Sequence, residues 1–189
     1  MKAMMFLVLS YILGSIPSAF VVTKIITGRD IRKIGSGNVG TMNTLRHVGL
    51  IPGIMTFLID FSKGALATWA ALSSTQSYFI VYASALFVMI GHNWPLLLRF
   101  KGGKGLAATA GSLAVINIKI CVIVYTVIGI TSLLLKNTDR ASIIGFLVYP
   151  FLLFLIYNNF QIFVIGLVHF SLVFIRHYPG LKKGKMLIT

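Results

Sequence analysis

Two short segments of the chain combine glycine with lysine or small polar residues, a composition typical of phosphate-binding loops. Residues 35–40 are Gly-Ser-Gly-Asn-Val-Gly, and residues 101–105 are Lys-Gly-Gly-Lys-Gly. Glycine leaves backbone N–H groups accessible to an anion, and lysine adds a positive point charge. The alternatives are a solvated loop for the first segment and a basic membrane-surface anchor for the second. Because an anchor needs no glycines, the sequence favours two anion-binding loops.

Neither segment belongs to a nucleotide-binding motif. Residues 35–40 match the pattern G-x-G-x-x-G, but no buried strand precedes them, and the acidic residue of the motif would be Asp60, inside an apolar segment. Residues 101–105 lack the upstream glycine and the Ser or Thr of a Walker A loop. Gly40, Asn43 and Arg46 follow at steps of three. A helix beginning there would place an amide and a guanidinium on one face, above its positive end.

Several polar residues interrupt apolar stretches, where each is costly to bury and is therefore a candidate for function. Asp60 and Lys63 lie three residues apart on one helical face, which predicts a structural ion pair. His169 stands among apolar residues and is predicted to be a packing residue. His92 belongs to the polar run Gly-His-Asn-Trp-Pro and is a candidate for function. Residues 14–18, Gly-Ser-Ile-Pro-Ser, predict either a repaired kink or an opened backbone that lines a cavity.

The overall composition excludes a soluble globular protein. Of 189 residues, 57% are hydrophobic and 11% are charged, against about 25% charged residues in an ordinary soluble domain. The chain has 17 Lys and Arg, three Asp and no Glu, with a net charge of +14. A nucleic-acid binder could carry this charge, but long apolar runs indicate a bilayer, so the basic residues point to the membrane surface and to anionic substrates. The single Cys121 and the absence of metal-ligand spacing predict neither metal nor cofactor.

The distribution of basic residues predicts the membrane topology. Fourteen of the 17 basic residues fall in four connections, which are 24–46, 99–104, 136–140 and the tail from 176. The connections 73–77 and 158–159 hold none, so the positive-inside rule places the first group in the cytoplasm and the second outside. The 30-residue apolar run 106–135 must then cross twice, with a turn near residues 116–119.

The predicted fold class is an all-α polytopic membrane protein with seven transmembrane helices, of which the fourth is short or broken. The N-terminus is expected outside and the C-terminus in the cytoplasm. Residues 1–189 are predicted to form a single integral membrane domain. Its cytoplasmic loops are expected at about 24–49, 99–105, 136–140 and 176–189.

These motifs resemble those of the bacterial acyl-phosphate-dependent glycerol-3-phosphate acyltransferases, the PlsY family. The resemblance covers nearly the whole chain, and residues 100–105, Phe-Lys-Gly-Gly-Lys-Gly, are its most specific part. The Gly-Ser-Ile-Pro run, residues 35–40, Asp60 with Lys63, and His92 extend it. The resemblance implies transfer of a fatty acyl group from acyl-phosphate to the 1-hydroxyl of glycerol 3-phosphate. The products would be phosphate and lysophosphatidic acid, a precursor in phospholipid synthesis.

The resemblance also implies roles for the site residues. The expected catalytic residues are His92, Ser36 and Lys104, with His92 or a phosphate oxygen of the donor accepting the hydroxyl proton. Orientation of the substrates and neutralisation of their charge would supply most of the acceleration. The expected substrate-binding residues are Gly35, Gly37, Asn38, Gly40, Asn43, Arg46, Lys101, Gly102, Gly103, Gly105 and Ser142.

The expected partners are the lipid bilayer, acyl-phosphate, glycerol 3-phosphate and the enzyme that makes acyl-phosphate, with no nucleic acid and no cofactor. The expected location is the inner (plasma) membrane of a bacterial cell. The protein would cross that membrane several times, with its active site facing the cytoplasm.

Three motifs depart from the family pattern. Met42 stands where the family has a small hydroxyl residue, and Asp139 stands where it has serine. In the last motif Gly180 takes the place of an asparagine, and residues 185–186, Lys-Met, take the place of a later glutamate. Two alternatives therefore stay open: a divergent paralogue with altered acceptor or lost activity, and a small anion or lipid-headgroup transporter. Against the transporter, the sequence shows no internal repeat.

Overall fold

The computed structural model describes residues 2–183, and its regular elements are all helical. This range holds nine α-helices, two 3-10 turns and no strand, so the prediction of an all-α fold is confirmed. The chain divides into two compact units, of which the first ends at Ile116 and the second begins at Asn117. The helices are α1 Lys2–Gly14, α2 Ser18–Thr27, α3 Thr41–His47, α4 Leu50–Leu72, α5 Tyr78–Asn93, α6 Leu106–Ile116, α7 Ile118–Leu135, α8 Thr138–Tyr157 and α9 Phe160–Lys183.

The first apolar segment is broken into α1 and α2 at Pro17, which has no N–H group to continue the helix. The Leu13 carbonyl, which Pro17 cannot satisfy, accepts the Ile16 N–H at 3.2 Å. The Ile16 carbonyl in turn accepts the Lys63 ammonium group of α4 at 2.9 Å. The break is therefore a kink whose carbonyls find partners within the first unit, which is the repaired kink of the two predicted alternatives.

Glycines bring the helices of the first unit into backbone contact. Gly14 of α1 lies against Val88 of α5, and Gly64 of α4 lies against the Ala108 carbonyl of α6, so neither position has room for a Cβ. The Ser112 hydroxyl donates to the Gly64 carbonyl at 3.1 Å. Small residues at helix crossings permit this close approach in membrane proteins. They hold α6, which is 11 residues long, against α4.

Asparagine caps begin two helices of the second unit. The Asn117 side chain accepts two N–H groups in the first turn of α7, at 3.1 and 3.3 Å. This cap divides the run 106–135 where the sequence predicts a turn. Asn137 caps α8 in the same way. Deeper in this unit, Tyr149 packs edge to face on the fully buried His169, with ring centroids 5.6 Å apart, as predicted for a packing histidine.

The described residues include six helical stretches that are long and apolar enough to cross a membrane. Large apolar side chains on these stretches, such as Leu133 and Leu155, are 80% exposed, which suits contact with lipid. Helix α6 is apolar but shorter. The six stretches are Ala3–Thr27, Leu50–Leu72, Tyr78–Leu98, Ile118–Leu135, Thr138–Tyr157 and Phe160–Leu181.

Helices extend into three of the segments predicted as cytoplasmic loops, and the side of the membrane on which these segments lie stays a prediction. Helix α2 continues to Thr27, where Gly28 ends it in the left-handed conformation with φ 69°. Helix α8 begins at Thr138, and α9 continues to Lys183. The prediction ended helices at the first basic residue, whereas cations are favourable in the last turn of a helix. Residues 184–189, including the Lys-Met pair of the last motif, lie outside the described residues.

Candidate active site

The first loop, residues 35–40, connects the 3-10 turn Ile31–Lys33 to α3. Gly35 and Gly37 have φ values of +55° and +72°, in the left-handed region that favours glycine. A Cβ at Gly35 would also overlap the His47 ring. The glycines are thus required by the path of the loop. As the spacing predicted, a helix begins directly after this loop, at Thr41.

Asn43 holds the first loop from the inside. Its side chain is 4% exposed, accepts the Ser36 N–H at 3.0 Å, and donates to the carbonyls of Ile34 and Asn38 at 2.9 and 3.0 Å. The Gly37 N–H donates to the Ile34 carbonyl at 3.0 Å. Asn43 is therefore an internal brace of the loop. The sequence identified it as a site residue but gave it a direct role in positioning the substrate.

The second loop, residues 101–105, closes the C-terminal end of α5. The Gly102 N–H donates to the Asn93 carbonyl at 3.2 Å, and the Gly103 N–H donates to the His92 carbonyl at 3.1 Å. These two N–H groups, like those of Ser36 and Gly37 in the first loop, donate to protein acceptors. These hydrogen bonds brace both loops, and side chains are a source of positive charge for an anion.

The structure brings the two loops together. A Cβ at Gly103 would lie 2.5 Å from the Val39 carbonyl oxygen of the first loop, and it would also overlap the His92 ring. Val39 of the first loop is buried in a small apolar cluster with Ile34, which precedes that loop, and with Leu98, which precedes the second loop. Both loops and His92 therefore meet at Gly103, within the first unit.

The predicted basic side chains surround these loops. Arg46 is exposed in the last turn of α3, Lys101 is exposed, and Lys104 is half-buried. Ser36 is also exposed. A guanidinium and two ammonium groups around one pair of loops suit an anionic ligand that carries phosphate.

A buried ionic network lies beneath the second loop. One carboxylate oxygen of Asp60 lies 2.7 Å from the Lys63 ammonium, 2.5 Å from the Ser18 hydroxyl and 3.3 Å from Nδ1 of His92. All four side chains are less than 10% exposed. The predicted Asp60–Lys63 pair is confirmed, but the sequence analysis missed the link from Asp60 to His92 and Ser18. Asp60 is the one acidic residue among residues 50–72. A lone carboxylate in an apolar segment was the sequence feature that could have indicated further polar partners.

The other two carboxylates of the chain are also engaged. Asp30 pairs with Arg32 at 2.7 Å, and the hydrogen bonds from this guanidinium hold the pKa of the Asp30 carboxyl below its usual value. Asp139 lies 2.6 Å from Nδ1 of His177 in the second unit. No group of three His, Cys, Asp or Glu side chains suited to a metal ion occurs among residues 2–183.

Ser142 is the predicted site residue that lies in the second unit. Its side chain is fully buried, and its hydroxyl donates to the Thr138 carbonyl at 2.7 Å, one turn earlier in α8. This bond gives Ser142 a local partner within its own helix. Its contact with a substrate stays a prediction.

Comparisons with known proteins identify the family of the chain. A profile of the family described as glycerol-3-phosphate acyltransferase matches residues 4–184. The glycerol-3-phosphate acyltransferase of Pelagibacter ubique is 37% identical over 176 residues, covering 93% of this chain and 90% of the relative. Glycerol-3-phosphate acyltransferase 2 of Moorella thermoacetica is 35% identical over 180 residues, covering 94% of this chain and 91% of the relative.

Solved structures show the same fold. The glycerol 3-phosphate form of PlsY (YgiH), an integral membrane glycerol 3-phosphate acyltransferase, matches with a TM-score of 0.90 and 27% identity, covering 98% of this chain and 93% of that chain. Its lysophosphatidic acid form matches with a TM-score of 0.87 and 25% identity. The predictions of an integral membrane fold and of a membrane glycerol-3-phosphate acyltransferase are thereby confirmed. The chain belongs to the glycerol-3-phosphate acyltransferase family.

Proposed function

We propose that this enzyme transfers a fatty acyl group from acyl-phosphate to the 1-hydroxyl of glycerol 3-phosphate, releasing phosphate and lysophosphatidic acid. The glycerol 3-phosphate and lysophosphatidic acid forms of the similar PlsY structure support the acceptor and the product. The donor follows from the family resemblance. Its mixed anhydride is already activated, so the reaction needs no strong nucleophile from the protein.

The observation that carries the proposal is the contact between the two glycine-rich loops. Because Gly103 packs against Val39, the two loops that carry or adjoin the basic residues meet. We assign Arg46, Lys101 and Lys104 to the phosphate groups, with Lys104 at the reacting centre. Ser36 is exposed beside them and can donate a hydrogen bond to the donor. Charge neutralisation of two anions that must approach each other would supply much of the acceleration.

The chemistry is a displacement at the acyl carbonyl. The 1-hydroxyl oxygen of glycerol 3-phosphate attacks the carbonyl carbon, the bond from that carbon to the phosphate oxygen breaks, and the hydroxyl proton goes to a base. The sequence left two bases open. His92 is 7% exposed, with Nδ1 near Asp60 and its ring against Gly103. This burial favours the leaving phosphate oxygen as proton acceptor. His92 would then support the second loop from beneath.

The membrane arrangement remains part of the proposal. We assign seven crossings, with the short helix α6 as the fourth, the N-terminus outside and the active site facing the cytoplasm. The support is the clustering of 14 of the 17 basic residues in alternate connections. The host membrane would be the inner membrane of a bacterial cell, and the enzyme that makes acyl-phosphate would supply the donor at its surface.

Substitution of Lys104 tests the proposed function. The protein is reconstituted in liposomes with acyl-phosphate and glycerol 3-phosphate, phosphate release is followed, and lysophosphatidic acid is measured by mass spectrometry. Lys104→Ala should lower acceptor-dependent phosphate release by roughly a hundredfold or more, because the half-buried charge at the reacting centre is lost.

The matched control is Lys119→Ala, which removes the same charge from an exposed position in the first turn of α7. This variant should keep the activity of the unaltered protein. Undiminished turnover by Lys104→Ala would contradict the site assignment. Phosphate release without lysophosphatidic acid would contradict the acyl acceptor. Movement of glycerol 3-phosphate across sealed vesicles without product would support the transporter instead.

A further inference from the structure

Two departures from the family pattern, Asp139 and Gly180, meet in the second unit. They are 41 positions apart in the sequence, one in the first turn of α8 and the other near the end of α9. A Cβ built on Gly180 would overlap the Asp139 carboxylate. The two positions therefore cannot vary independently while the Asp139 side chain keeps its place.

The position of the Asp139 carboxylate depends on its backbone, on His177 and on the space at Gly180. The Asn137 side chain accepts the Asp139 N–H at 3.0 Å, which fixes the residue in the first turn of α8. A carboxylate at that end of a helix is stabilised by the helix dipole. One of its oxygens lies 2.6 Å from Nδ1 of His177 on α9, and the glycine at 180 leaves room for the other.

His177 gains a defined orientation from this contact. Its ring is 1% exposed, whereas the Asp139 side chain is 19% exposed. A carboxylate oxygen can only accept a hydrogen bond, so Nδ1 is the ring nitrogen that carries the hydrogen. The ring plane and the direction of Nε2 are then fixed, as in the carboxylate–histidine pairs that orient ligating histidines.

Position 180 lies three residues after His177, on the same face of α9. An asparagine there, as the resemblance predicts, could reach the His177 ring from within the helix. Asp139 reaches the ring from the neighbouring helix instead. The Asp139 carboxylate thus takes the place of the hydrogen-bond acceptor that an asparagine at position 180 would provide. Gly180 leaves the space that this carboxylate occupies.

We propose that Asp139 is a positioning residue for His177 in the acyl transfer reaction, and that Asp139 and Gly180 are one coupled replacement that preserves the orientation of the ring. The proposal rests on the proposed function. Both residues fall in segments that the topology places on the cytoplasmic side, together with the two loops. Burial of the His177 ring is costly unless its polar nitrogen has a partner, and Asp139 supplies that partner. The divergent last motif is therefore compatible with activity.

The test is a double-mutant cycle between positions 139 and 180, with turnover in liposomes and thermal unfolding in detergent as readouts. Asp139→Ser removes the acceptor, and Gly180→Asn displaces it, so each should lower kcat by about tenfold with a smaller change in KM. The double variant Asp139→Ser with Gly180→Asn should recover to within about threefold of the unaltered protein, because the acceptor returns on α9. A double variant as weak as the product of the two single effects would overturn the coupling.

The variant Gly180→Ala distinguishes the loss of space for the Asp139 carboxylate from the gain of a new hydrogen-bonding group, because alanine adds a methyl group alone. Gly180→Ala should lower kcat when Asp139 is present, because the methyl group overlaps the carboxylate, and should cause no further loss in the Asp139→Ser background. Single variants with full activity would overturn the positioning role. Single variants that lose thermal stability but keep kcat would show a structural pair only, which also overturns it.

A spectroscopic readout keeps this result distinct from a failure of the proposed function. In protein labelled with ¹⁵N-histidine, the Nδ1 resonance of His177 should be that of a protonated, hydrogen-bonded nitrogen, and it should change in Asp139→Ser. His177→Gln assigns the signal among the four histidines. An unaltered protein without acyltransferase activity would contradict the proposed function, whereas an unchanged resonance would contradict the Asp139–His177 contact.

Discussion

Asp60 is 1% exposed, and three donors converge on one of its oxygens. The Lys63 ammonium, the Ser18 hydroxyl and Nδ1 of His92 lie 2.5–3.3 Å from that oxygen. Lys63 also donates to the Ile16 carbonyl exposed by the break in the first membrane segment. The network therefore connects that break to His92 and, through its carbonyl, to the Gly103 N–H of the second loop.

Asp60→Asn should destabilise the protein by about 3–5 kcal/mol, because it leaves the Lys63 ammonium buried without its carboxylate. The double variant Asp60→Asn with Lys63→Met removes both charges and should recover most of that stability. It should still lower kcat, because His92 loses the carboxylate beside its Nδ1. Thermal unfolding in detergent, followed by exposure of the buried Cys121 thiol, gives the stability, and phosphate release gives kcat.

The single and double variants distinguish the effect of the ion pair on the stability of the protein from its effect on the position of His92. If the double variant is as unstable as the single one, the ionic pair does not act as a unit. If it is both stable and fully active, the network supports the fold without holding His92. The control Lys136→Met removes an exposed basic residue after α7 and should change neither quantity.

At the scale of the elements, the contact between α4 and α6 shows how a short helix is retained. Gly64 lies against the Ala108 carbonyl, and Gly111 lies against the Phe61 carbonyl, so each helix offers a glycine to the backbone of the other. An 11-residue helix spans about 16 Å, well below the bilayer core of about 30 Å. Its polar ends must therefore be satisfied inside the protein, and close packing keeps them there.

Gly64→Ala should destabilise the protein by about 1–3 kcal/mol, because the methyl group forces α4 and α6 apart along rigid backbone. The matched control is Gly129→Ala in α7, where nothing lies within 4 Å of the added methyl group. The control should leave stability unchanged or raise it slightly, since alanine is the better helix former. The midpoint of thermal unfolding in detergent measures both. Equal midpoints for the two variants would show that the glycine contact is not limiting.

Whole-molecule features that depend on composition could be predicted from the sequence, whereas local hydrogen bonds could not. Hydropathy located the helical segments, and Asn117 marked the break between α6 and α7 because its side chain caps a new helix. Glycine content located both loops. It did not show that the Gly102 and Gly103 N–H groups donate to α5. That outcome depends on where the chain turns back, a tertiary property.

The contact between Asp60 and His92 could not be predicted from the sequence, because it too depends on the tertiary structure. The two residues are 32 positions apart, on α4 and α5, and helical spacing identifies neighbours only within one helix. Asp60 and Lys63, which share a helix, were paired correctly. The number of membrane crossings is a property of the whole chain. Each crossing changes the side on which the next connection lies, so the positions of the basic connections predict that number. The number of crossings can therefore be tested directly by labelling.

The crossing number is decided by the sides on which Lys119 and Lys136 lie. With α6 as a crossing, Lys119 lies outside and Lys136 in the cytoplasm; without it, the two exchange sides. Both side chains are exposed at the two ends of α7, so cysteines there should react readily. In a Cys121→Ala background, a membrane-impermeant maleimide added to intact cells should label Lys119→Cys, and Lys136→Cys should be labelled after permeabilisation alone.

The control position is Arg29→Cys, an exposed site on the predicted cytoplasmic side that precedes α6 and keeps its side in either arrangement. It should be protected in intact cells. Labelling of Lys136→Cys in intact cells together with protection of Lys119→Cys would remove α6 from the crossings. The C-terminal part of α9, with His177 and Gly180, would then lie on the side opposite the two loops. A single labelling pattern thus tests the topology and, with it, the assignment of residues 136–140 and 176–189 to the cytoplasmic side.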